Sequence, residues 1–409
     1  FALLFILCLV SGIVNGTFYD RKDTSFKFYE FKAYGSTPAV NGIIAFFVAV
    51  ILYQALVPIS LYISVEIVKT LQALFIYCDV NMYYEKLDYP CTPKSWNISD
   101  DLGQIEYIFS DKTGTLTQNV MEFKKATING KSYGLAYTEA QMGMDKRKGI
   151  DASSEAVKWK KVIDEDRDKM IQILKESPEN THFDPEKLTF ISSEYLSDLD
   201  NKEDKVQSEA NHHFMLCLSL CHTVLTEPLK ENPDQFEFKA ESPDEAALVQ
   251  AASDVGFTFV KRTRSGGIVN IQGTEKSFEI LQILEFNSTR KRMSVITELD
   301  DEIFLISKGA DSVIFARLDP NENDEVLLNK TAEHLEEYAS EGLRTLCIAG
   351  RKLSKQEYQE WSKKYDAASS SMEDRDEKME ELASEIESNL VLMGGTAIED
   401  RLQIGVPES

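Results

Sequence analysis

The sequence predicts membrane helices followed by α/β and α+β domains, and three patterns in the chain support this fold class. The run Ile43–Val65 is apolar and uncharged, and it exceeds the roughly 20 residues that a helix needs to cross a bilayer. A short apolar run, Ile105–Phe109, is typical of a buried strand and leads into a polar turn at Asp111. Further along, a series of β-like runs separated by Gly and polar turns predicts an antiparallel sheet. These runs are Phe257–Val260, Ile268–Ile271, Phe278–Phe286, Met293–Glu298 and Ile303–Ile306.

The composition of the chain argues against some classes of partner and site. Its 409 residues include 44 Lys and Arg against 68 Asp and Glu, a formal net charge of −24. Phosphate backbones select basic surfaces, so this balance argues against nucleic acid as a partner. The cysteines are scattered and show no disulfide framework. Cys217 and Cys221, together with His212, His213 and His222, have a spacing that metal ligands can use. The run 214–222 is mainly apolar, however, which favours buried thiols on a core helix.

The N-terminal part is interpreted as two membrane helices joined by a polar loop. Residues 1–16 are apolar but too short to span and are expected to be the end of a truncated membrane helix; 17–41 form an exoplasmic loop and 42–69 the second helix. Within that helix Pro58 lacks a backbone N–H and leaves the carbonyl of Gln54 without its helical donor, so a break is expected there. Transporters build their binding sites at such breaks in the middle of the membrane.

The turn after Ile105–Phe109 carries the residues with the clearest chemistry, Asp111-Lys-Thr-Gly-Thr-Leu-Thr117. Ligands bind at the carboxyl ends of strands in open α/β sheets, and a carboxylate held there can attack a phosphoryl group to form an aspartyl-phosphate. Lys112 supplies positive charge, and Gly114 lets the backbone approach a phosphate closely. The phosphate charge would require Mg²⁺, for which Asp111 is the natural carboxylate ligand. The alternative is an ordinary strand–turn in which Asp111 is only a cap.

This heptapeptide resembles the phosphorylation motif of P-type ATPases, whose catalytic domain belongs to the haloacid-dehalogenase superfamily. The soluble phosphatases of that superfamily usually carry a second Asp where this chain has Thr113, so the resemblance implies a longer-lived phosphoenzyme. It also implies a domain order. A stalk and the N-terminal half of a haloacid-dehalogenase-like phosphorylation domain occupy 70–123, an inserted α+β nucleotide-binding domain 124–392, and a strand returning to the phosphorylation domain 393–409. The motif Gly395-Thr-Ala-Ile-Glu-Asp400 resembles that return strand.

Four downstream motifs resemble the nucleotide-binding domain of the same family. They are Ser242-Pro-Asp-Glu-Ala-Ala-Leu248, Phe286-Asn-Ser-Thr-Arg-Lys-Arg-Met293, Lys308-Gly-Ala-Asp311 and Gly342-Leu-Arg-Thr345. The resemblance implies that Glu245 lies near the adenine of ATP, that Phe286 stacks on it and that Arg344 faces the phosphates. The residues it places against ATP are Asp111, Lys112, Thr113, Glu245, Phe286, Ser288, Lys291, Lys308 and Arg344, with Asp111 and Thr113 as ligands of Mg²⁺.

These motifs also have ordinary structural alternatives. Ser242, with Glu245 three residues on and Pro243 at the first turn, is typical of a capping box, and both roles can hold together. Phe286 alone would be a core strand residue, and Lys308 alone a surface lysine. Because the motifs follow the family's order behind the phosphorylation motif, the resemblance is favoured.

The membrane segment indicates what is transported. Cation pumps of this family often carry Glu after the helix-breaking proline or cysteines around it, whereas this chain has Pro58-Ile-Ser-Leu61 and no carboxylate in Ile43–Val65. A hard cation needs several oxygen ligands. The segment resembles the type IV branch, the phospholipid flippases, and Ala49–Ala55 and Tyr89–Ser99 are similar to fungal plasma-membrane flippases. The residues that this places beside the lipid path are Pro58, Ile59, Ser60 and Tyr62.

The resemblance implies an ATP-driven pump that moves phospholipid from the outer to the cytoplasmic leaflet, with phosphatidylcholine, phosphatidylethanolamine or lysolipids favoured. It further implies a small glycoprotein accessory subunit. The protein would be integral and multi-pass, in the plasma membrane or in endosomal or Golgi membranes, with cytosolic catalytic domains. A cation-transporting P-type ATPase and a nucleotide-binding fragment without turnover are the alternatives. Because the family's actuator motif and second Mg²⁺ carboxylate motif are not found in the sequence, a fragment is expected, inactive by itself.

Two polar segments are expected to carry no chemistry. Residues 140–210 are acidic and are expected to form surface helices and loops with little core. Ser369–Asn389 is dense in charge, with apolar residues at helical spacing, which is typical of a solvated helix face.

Overall fold

The computed structural model describes residues 1–20, 35–95, 97, 99–176, 184–228, 236–299, 301–371 and 374–406. The chain divides into two compact units, Phe1–Phe109 and Ser110–Ser409. The described part of the first unit is helical, and that of the second is built on a large sheet.

The described residues of the first unit form three long helices and several short ones. They are α1 (Ala2–Asp20), α2 (Pro38–Leu52), α3 (Ile59–Tyr77) and α4 (Ser99–Leu102), with 3₁₀ turns at Gln54–Leu56, Val80–Met82 and Glu85–Leu87. The hydroxyl of Thr37 accepts the N–H of Val40 and caps α2, while Pro38 occupies a first-turn position that needs no N–H. Among the described residues, Gln54–Tyr77 is long and apolar enough to cross a membrane by length and composition.

The apolar run is interrupted immediately before and at Pro58. α2 ends at Leu52 and α3 begins at Ile59, so the apolar run is divided between two helices. The carbonyl of Gln54, which the proline deprives of its helical donor, accepts the N–H of Val57 at 3.0 Å. Because this group finds a partner within the break, the interruption is compatible with an apolar environment.

The predicted loop 17–41 lies mostly outside the described residues, which resume at 35. Its two ends differ from the prediction, because α1 continues to Asp20 and α2 already begins at Pro38. The exoplasmic placement of 17–41 stays a prediction.

Glycines bring α1 and α2 into close contact. A Cβ on Gly12 would lie 2.9 Å from the carbonyl oxygen of Gly42, and one on Gly42 would lie 3.0 Å from the carbonyl oxygen of Gly12. Gly16, one turn after Gly12 on the same face of α1, faces the same crossing. The rings of Phe5 and Phe46 meet edge to face, with centroids 5.9 Å apart. Crossings through small residues are typical of helices that associate within a membrane.

The predicted strand Ile105–Phe109 is wrong. Residues 105–110 pair with no strand in the described part of the chain, and the side chain of Phe109 is 96% exposed. An apolar sequence alone cannot make a strand, because the backbone N–H and C=O groups need a neighbouring strand as partner. The haloacid-dehalogenase-like arrangement around Asp111 therefore stays a prediction.

Most strands of the second unit belong to one large sheet. The strands are β1 (Thr117–Ile128), β2 (Lys131–Tyr133), β3 (Leu225–Pro228), β4 (Phe236–Lys239), β5 (Phe257–Arg262), β6 (Gly266–Ile271), β7 (Thr274–Asn287), β8 (Arg292–Leu299), β9 (Glu302–Gly309), β10 (Arg344–Leu353) and β11 (Val391–Leu402). Nine of them form one sheet, in the order β2-β1-β11-β10-β9-β8-β7-β6-β5, and β3 pairs with β4. The described pairs are antiparallel. The predicted β-like runs are confirmed as β5 to β9, which pair in chain order.

Helices cover both faces of this sheet. They are α5 (Glu139–Arg147), α6 (Ala152–Glu176), α7 (Ser193–Leu199), α8 (Lys205–Leu220), α9 (Pro243–Asp254), α10 (Asp311–Phe315), α11 (Glu325–Ser340), α12 (Lys355–Ser369) and α13 (Arg375–Ile386). Consecutive strand residues such as Val295 and Ile296 belong to different hydrophobic cores, as the alternation of side chains in a strand requires. One core contains residues of α6 to α9 and the other residues of α10 to α13. The architecture is therefore mixed α/β, with a large sheet between two helical layers.

Two expectations about polar segments need correction. Residues 140–210 hold more core than expected, since Met170, Phe190 and Tyr195 are fully buried and belong to the core on one face of the sheet. The charge-dense segment Ser369–Asn389 does contain a helix, α13, but Glu387 at its C-terminal end is completely buried, so its polar face is not wholly solvated.

The interpretation of Cys217 and Cys221 as buried thiols is confirmed. Cys217 lies on α8 and Cys221 follows it, and burial raises the pKa of the Cys221 thiol to about 12. His222 is buried as well, with Nε2 2.8 Å from the carbonyl oxygen of Ser219 and with Nδ1 accepting the N–H of Val224 at 3.1 Å. A group of His, Cys, Asp and Glu side chains suited to a metal ion is not found in the described part of the chain.

Strands β1 and β11 lie side by side, with Thr117 opposite Leu402. The chain therefore enters and leaves this sheet at adjacent positions, which fits a domain inserted through two neighbouring connections. Residues 391–402 form one continuous strand within the sheet. The proposed domain boundaries at 124 and 392 stay predictions.

Candidate nucleotide-binding and phosphorylation site

The topology of the sheet brings the predicted residues to one end of it. Because neighbouring strands are antiparallel, β7 and β9 end at the same end of the sheet at which β8 and β10 begin. Phe286 lies near the end of β7, Lys308 near the end of β9 and Arg344 at the start of β10. β1 also begins at this end of the sheet, directly after the turn that carries Asp111. The predicted phosphorylation and nucleotide residues thus share one end of the sheet.

Asp111 precedes an irregular helical turn, Lys112–Leu116. Its exposed carboxylate accepts the N–H of Lys112 through Oδ1 at 2.8 Å. Gly114 has a φ of 78°, in the left-handed region that glycine enters without steric cost, and its N–H lies 3.4 Å from the hydroxyl of buried Thr117. The capping role of Asp111 is confirmed, and it does not exclude a reactive one, because an exposed carboxylate has several lone pairs.

Glu245 and Lys308 form a buried ion pair between α9 and β9. Glu245 Oε1 lies 2.9 Å from Lys308 Nζ, and Oε2 accepts the N–H and the hydroxyl of Thr223 at 3.0 and 2.9 Å. Lys308 also donates to the carbonyl of Cys221 at 3.0 Å. Burial by itself raises the pKa of Glu245, but the Lys308 ammonium and the Thr223 hydrogen bonds outweigh it and hold this pKa below its usual value. The pair offers an anchored carboxylate and ammonium to a polar ligand.

Three of the structural alternatives are wrong. Ser242 is the N-cap residue of α9 but its side chain makes no capping bond, and the carboxylate of Glu245 is turned toward Lys308, so the capping box does not form. Lys308 is buried rather than on the surface. Phe286 is 65% exposed rather than part of a core.

Phe286, Ser288 and Lys291 lie at the turn between β7 and β8, and all three are exposed. The carbonyl of Asn287 accepts the N–H of Lys291 at 2.7 Å, which closes the turn. The carbonyl of Lys291 accepts the N–H of Ala310 at 3.3 Å and joins the turn to the end of β9. An exposed ring at the end of a fixed strand is suited to stacking on a base.

Arg344 reaches α9 through an ion pair. Its Nη1 lies 3.0 Å from Asp244 Oδ2, while its side chain stays mostly exposed. Burial raises the pKa of Asp244 and the Arg344 guanidinium lowers it in part, with nearby Asp400 acting in the same sense as burial. Asp400 in turn lies 3.5 Å from Lys112 Nζ. Two neighbouring carboxylates, Asp244 and Asp400, therefore pair with the cations Arg344 and Lys112.

Sequence reasoning missed three residues of this site, Thr223, Asp244 and Asp400. The two aspartates stand inside motifs that resemble the family, next to Glu245 and at the end of Gly395–Asp400, so their position was a usable signal. Thr223 had none, because only the fold brings it to Glu245 from 22 positions away in the chain.

The residues present fit a Mg²⁺ that is shared with a nucleotide. Mg²⁺ is usually bound by one or two carboxylates together with waters and substrate phosphates. Asp111 offers an exposed carboxylate, and Thr113 follows on the same turn. Substrate phosphates and waters are the other oxygens that such a Mg²⁺ takes.

Pro58, Ile59, Ser60 and Tyr62 lie at the break between α2 and α3, on and just before the first turn of α3. All four are exposed. Their assignment to a lipid path stays a prediction.

Known proteins are similar to this chain over its whole length. The family model for the cytoplasmic domain N of P-type ATPases matches residues 211–405. The chain is 58% identical to the phospholipid-transporting ATPase DNF2 of Saccharomyces cerevisiae, 55% identical to the phospholipid-transporting ATPase DNF1 of Chaetomium thermophilum and 53% identical to the phospholipid-transporting ATPase dnf2 of Schizosaccharomyces pombe. All of the chain is matched in each case, and it spans 26%, 26% and 29% of these relatives. The chain is therefore similar over its whole length to phospholipid-transporting ATPases, and its residues 211–405 match the cytoplasmic domain N of P-type ATPases.

Proposed function

We propose that this protein is an ATP-driven pump that moves phospholipid from the outer to the cytoplasmic leaflet and carries the phosphate of ATP on Asp111. The observation that carries the proposal is the position of the Glu245–Lys308 pair, Phe286 and Arg344 at the end of the sheet that the Asp111 turn joins. Phosphoryl transfer depends mainly on positioning and electrostatic stabilisation, and such a meeting supports both.

Each side chain has a role that follows from its surroundings. The exposed ring of Phe286 stacks on the adenine, with Ser288 and Lys291 beside it, and the Glu245–Lys308 pair binds polar atoms of the nucleotide. Arg344 and Lys112, both cationic and exposed, face the phosphates. Asp111 attacks the γ-phosphorus, so that an oxygen–phosphorus bond forms on its carboxylate and ADP leaves. Mg²⁺, held by Asp111 and Thr113 with the phosphates, would neutralise part of the phosphate charge.

The membrane part supports a lipid rather than a cation as cargo. The broken helix around Pro58 exposes Ile59 and Tyr62 and contains no carboxylate in Ile43–Val65, and hard cations need several oxygen ligands. ATP is cytosolic, which places 17–41 outside or in the lumen and the residues after about Lys69 inside. Phosphatidylcholine, phosphatidylethanolamine or lysolipids are the substrates, a small glycoprotein is the accessory subunit, and the plasma membrane or endosomal and Golgi membranes are the location.

The test is the level of acid-stable phosphoenzyme that the full-length protein forms from labelled ATP. We expect phosphoenzyme in the native protein and none in Asp111→Asn. Asp198→Asn is the control and should form a native level, because Asp198 lies on α7 and pairs with Lys131 of β2, away from the proposed site. Adding a phospholipid should lower the level. Labelling that persists in Asp111→Asn contradicts the nucleophile, and a response to a cation but to no lipid contradicts the proposed cargo.

A further inference from the structure

A completely buried carboxylate, Glu387, lies directly after α13 and binds two arginines. Its Oε1 lies 2.7 Å from Arg290 Nη1, and its Oε2 lies 2.6 Å from Arg292 Nε. The hydroxyl of Ser294 donates to Oε1 at 2.6 Å and lies 2.8 Å from the hydroxyl of Ser307. All of these partners are buried. The cluster joins three segments that are distant in sequence: the start of β8, the end of β9 and the residue that follows α13.

The balance of charge indicates that this cluster adds little stability. Two guanidinium groups share one carboxylate, and Nη2 of Arg292 is buried without a hydrogen-bond partner among the described residues. Removing charges from water costs free energy that one ion pair offsets only in part. What the cluster does supply is a fixed position for the chain segment that carries the two arginines.

That segment is the turn that presents Phe286 and Lys291. Arg290 and Arg292 flank Lys291, and both arginines are buried while Lys291 is exposed. Lys291 has a φ of 52°, a left-handed conformation that a side-chain-bearing residue keeps only when its surroundings impose it. The cluster provides that constraint.

α13 also holds the other end of the same turn. The amide of Asn287 donates to the carboxylate of Glu380 on α13. The C-terminal end of α13 is itself fixed, because Arg317 donates to the carbonyls of Ser384 and Glu387 at 3.0 and 3.2 Å. Cations are favoured at this end of a helix. The turn between β7 and β8 is thus attached at both ends to a helix that is held in place.

We propose that Glu387 is a positioning residue for nucleotide binding. Through Arg290 and Arg292 it holds the β7–β8 turn so that Phe286 and Lys291 face the nucleotide. The inference rests on the proposed nucleotide site and adds to it a completely buried residue that lies 97 positions from Arg290 in the chain.

The experiment compares variants of the full-length protein. Glu387→Gln keeps the size of the side chain and removes its charge, and Glu387→Asp keeps the charge. Asp198→Asn is the matched control, because Asp198 is a partly buried acid paired with Lys131 at 2.5 Å beside strand β2, away from the turn. Two quantities are measured below the unfolding temperature: the Kd for ATP by calorimetry, and the protection of Lys291 by saturating ATP against an amine-reactive reagent. Lys276, exposed at the far end of β7, is the internal reference in the mass spectra.

We expect Glu387→Gln to raise the Kd by roughly tenfold or more, since small misplacements of positioning groups are costly. Saturating ATP should no longer protect Lys291 in this variant. Glu387→Asp should recover part of both, and Asp198→Asn should match the native protein in both. If Glu387→Gln lowers only the unfolding temperature, with native Kd and native protection of Lys291, the role of Glu387 is structural and the inference is wrong.

Two further variants keep the test decisive. Should Glu387→Gln fail to fold, Arg290→Met removes one ion pair, leaves Arg292 on Glu387 and carries the same expectations. Phe286→Ala tests the proposed site itself. If native protein and Phe286→Ala both fail to bind ATP, the proposed function is wrong; if Phe286→Ala weakens binding while Glu387→Gln and Arg290→Met do not, only the role of Glu387 is wrong.

Discussion

Among single residues, His222 is held neutral by the fold. Both ring nitrogens have backbone partners, Ser219 and Val224, and burial together with the Lys308 ammonium lowers its pKa to about 3. Histidine in an unfolded chain titrates at about pH 6.5. The unfolded chain therefore binds more protons than the folded one between these values, and stability that is present above pH 6.5 is lost as the pH falls through this window.

We expect His222→Gln to weaken the pH dependence of stability. Lowering the pH from about 7.5 to about 5.5 should cost the native protein about 1.4 kcal/mol through this residue and the variant nothing. Asp254, whose pKa burial raises to about 8, has the opposite effect, contributing stability that is lost as the pH rises through 8. Asp254 is present in both proteins. The change in unfolding free energy between the two pH values, compared between native protein and variant, therefore reports the contribution of His222. Equal pH dependence in the two proteins would contradict the assignment.

At the level of elements, α1 and α2 pack closely because glycines stand where they cross. Gly12 and Gly42 approach each other's carbonyl oxygens so closely that a methyl group on either would collide with backbone. The second of these helices, α2, ends at Leu52, just before the break at Pro58.

We expect Gly42→Leu to force α1 and α2 apart. A Cβ at this position would lie 3.0 Å from a backbone oxygen that cannot rotate away, and overpacking of this kind typically costs about 1–3 kcal/mol. Ile51→Leu, on an exposed side of α2, is the matched control. Thermal stability of the full-length protein in detergent should fall for Gly42→Leu and stay native for Ile51→Leu. A native midpoint for Gly42→Leu would mean that the two helices do not cross at these glycines.

At the level of the whole molecule, the second unit closes on itself. β1 and β11 pair along their length and bring Thr117 opposite Leu402, and each face of the sheet has its own hydrophobic core. A unit with neighbouring ends and its own cores is expected to fold by itself.

We expect the piece 117–402, expressed alone, to unfold cooperatively and still to bind ATP, because it keeps Glu245, Phe286, Lys308 and Arg344. Its affinity should be lower than that of the full-length protein, because it lacks Asp111, Lys112 and Thr113. A piece that begins at 131 is the control. It lacks β1, so β11 becomes an unpaired edge and the buried residues Phe123, Ala126 and Ile128 are lost from the core. Circular dichroism melting and calorimetry test both pieces. Aggregation of 117–402, or cooperative folding of the shorter piece, would contradict this account of the unit.

The sequence by itself determined the structural features whose cause lies in residues close together in the chain. The strands from Phe257 to Gly309 follow from local alternation and turn residues, and the break at Pro58 follows from a missing backbone donor. The turn at Asp111 could be identified because a heptapeptide carries its own chemistry. In each case the physical cause lies within a few residues of the effect.

Only the tertiary structure decided which groups are buried and which are paired. Ile105–Phe109 looks like a strand but finds no partner among the described residues, and Phe286 looks like core but is exposed at the end of its strand. Glu245 and Lys308 form an ion pair although they are 63 positions apart in the chain. Glu387 follows a charge-rich helix, yet it is buried and pairs with Arg290 and Arg292 of the turn after Phe286. Burial and pairing are decided by contacts between distant segments, because the free energy of a charge or of a backbone group depends on what the fold brings against it.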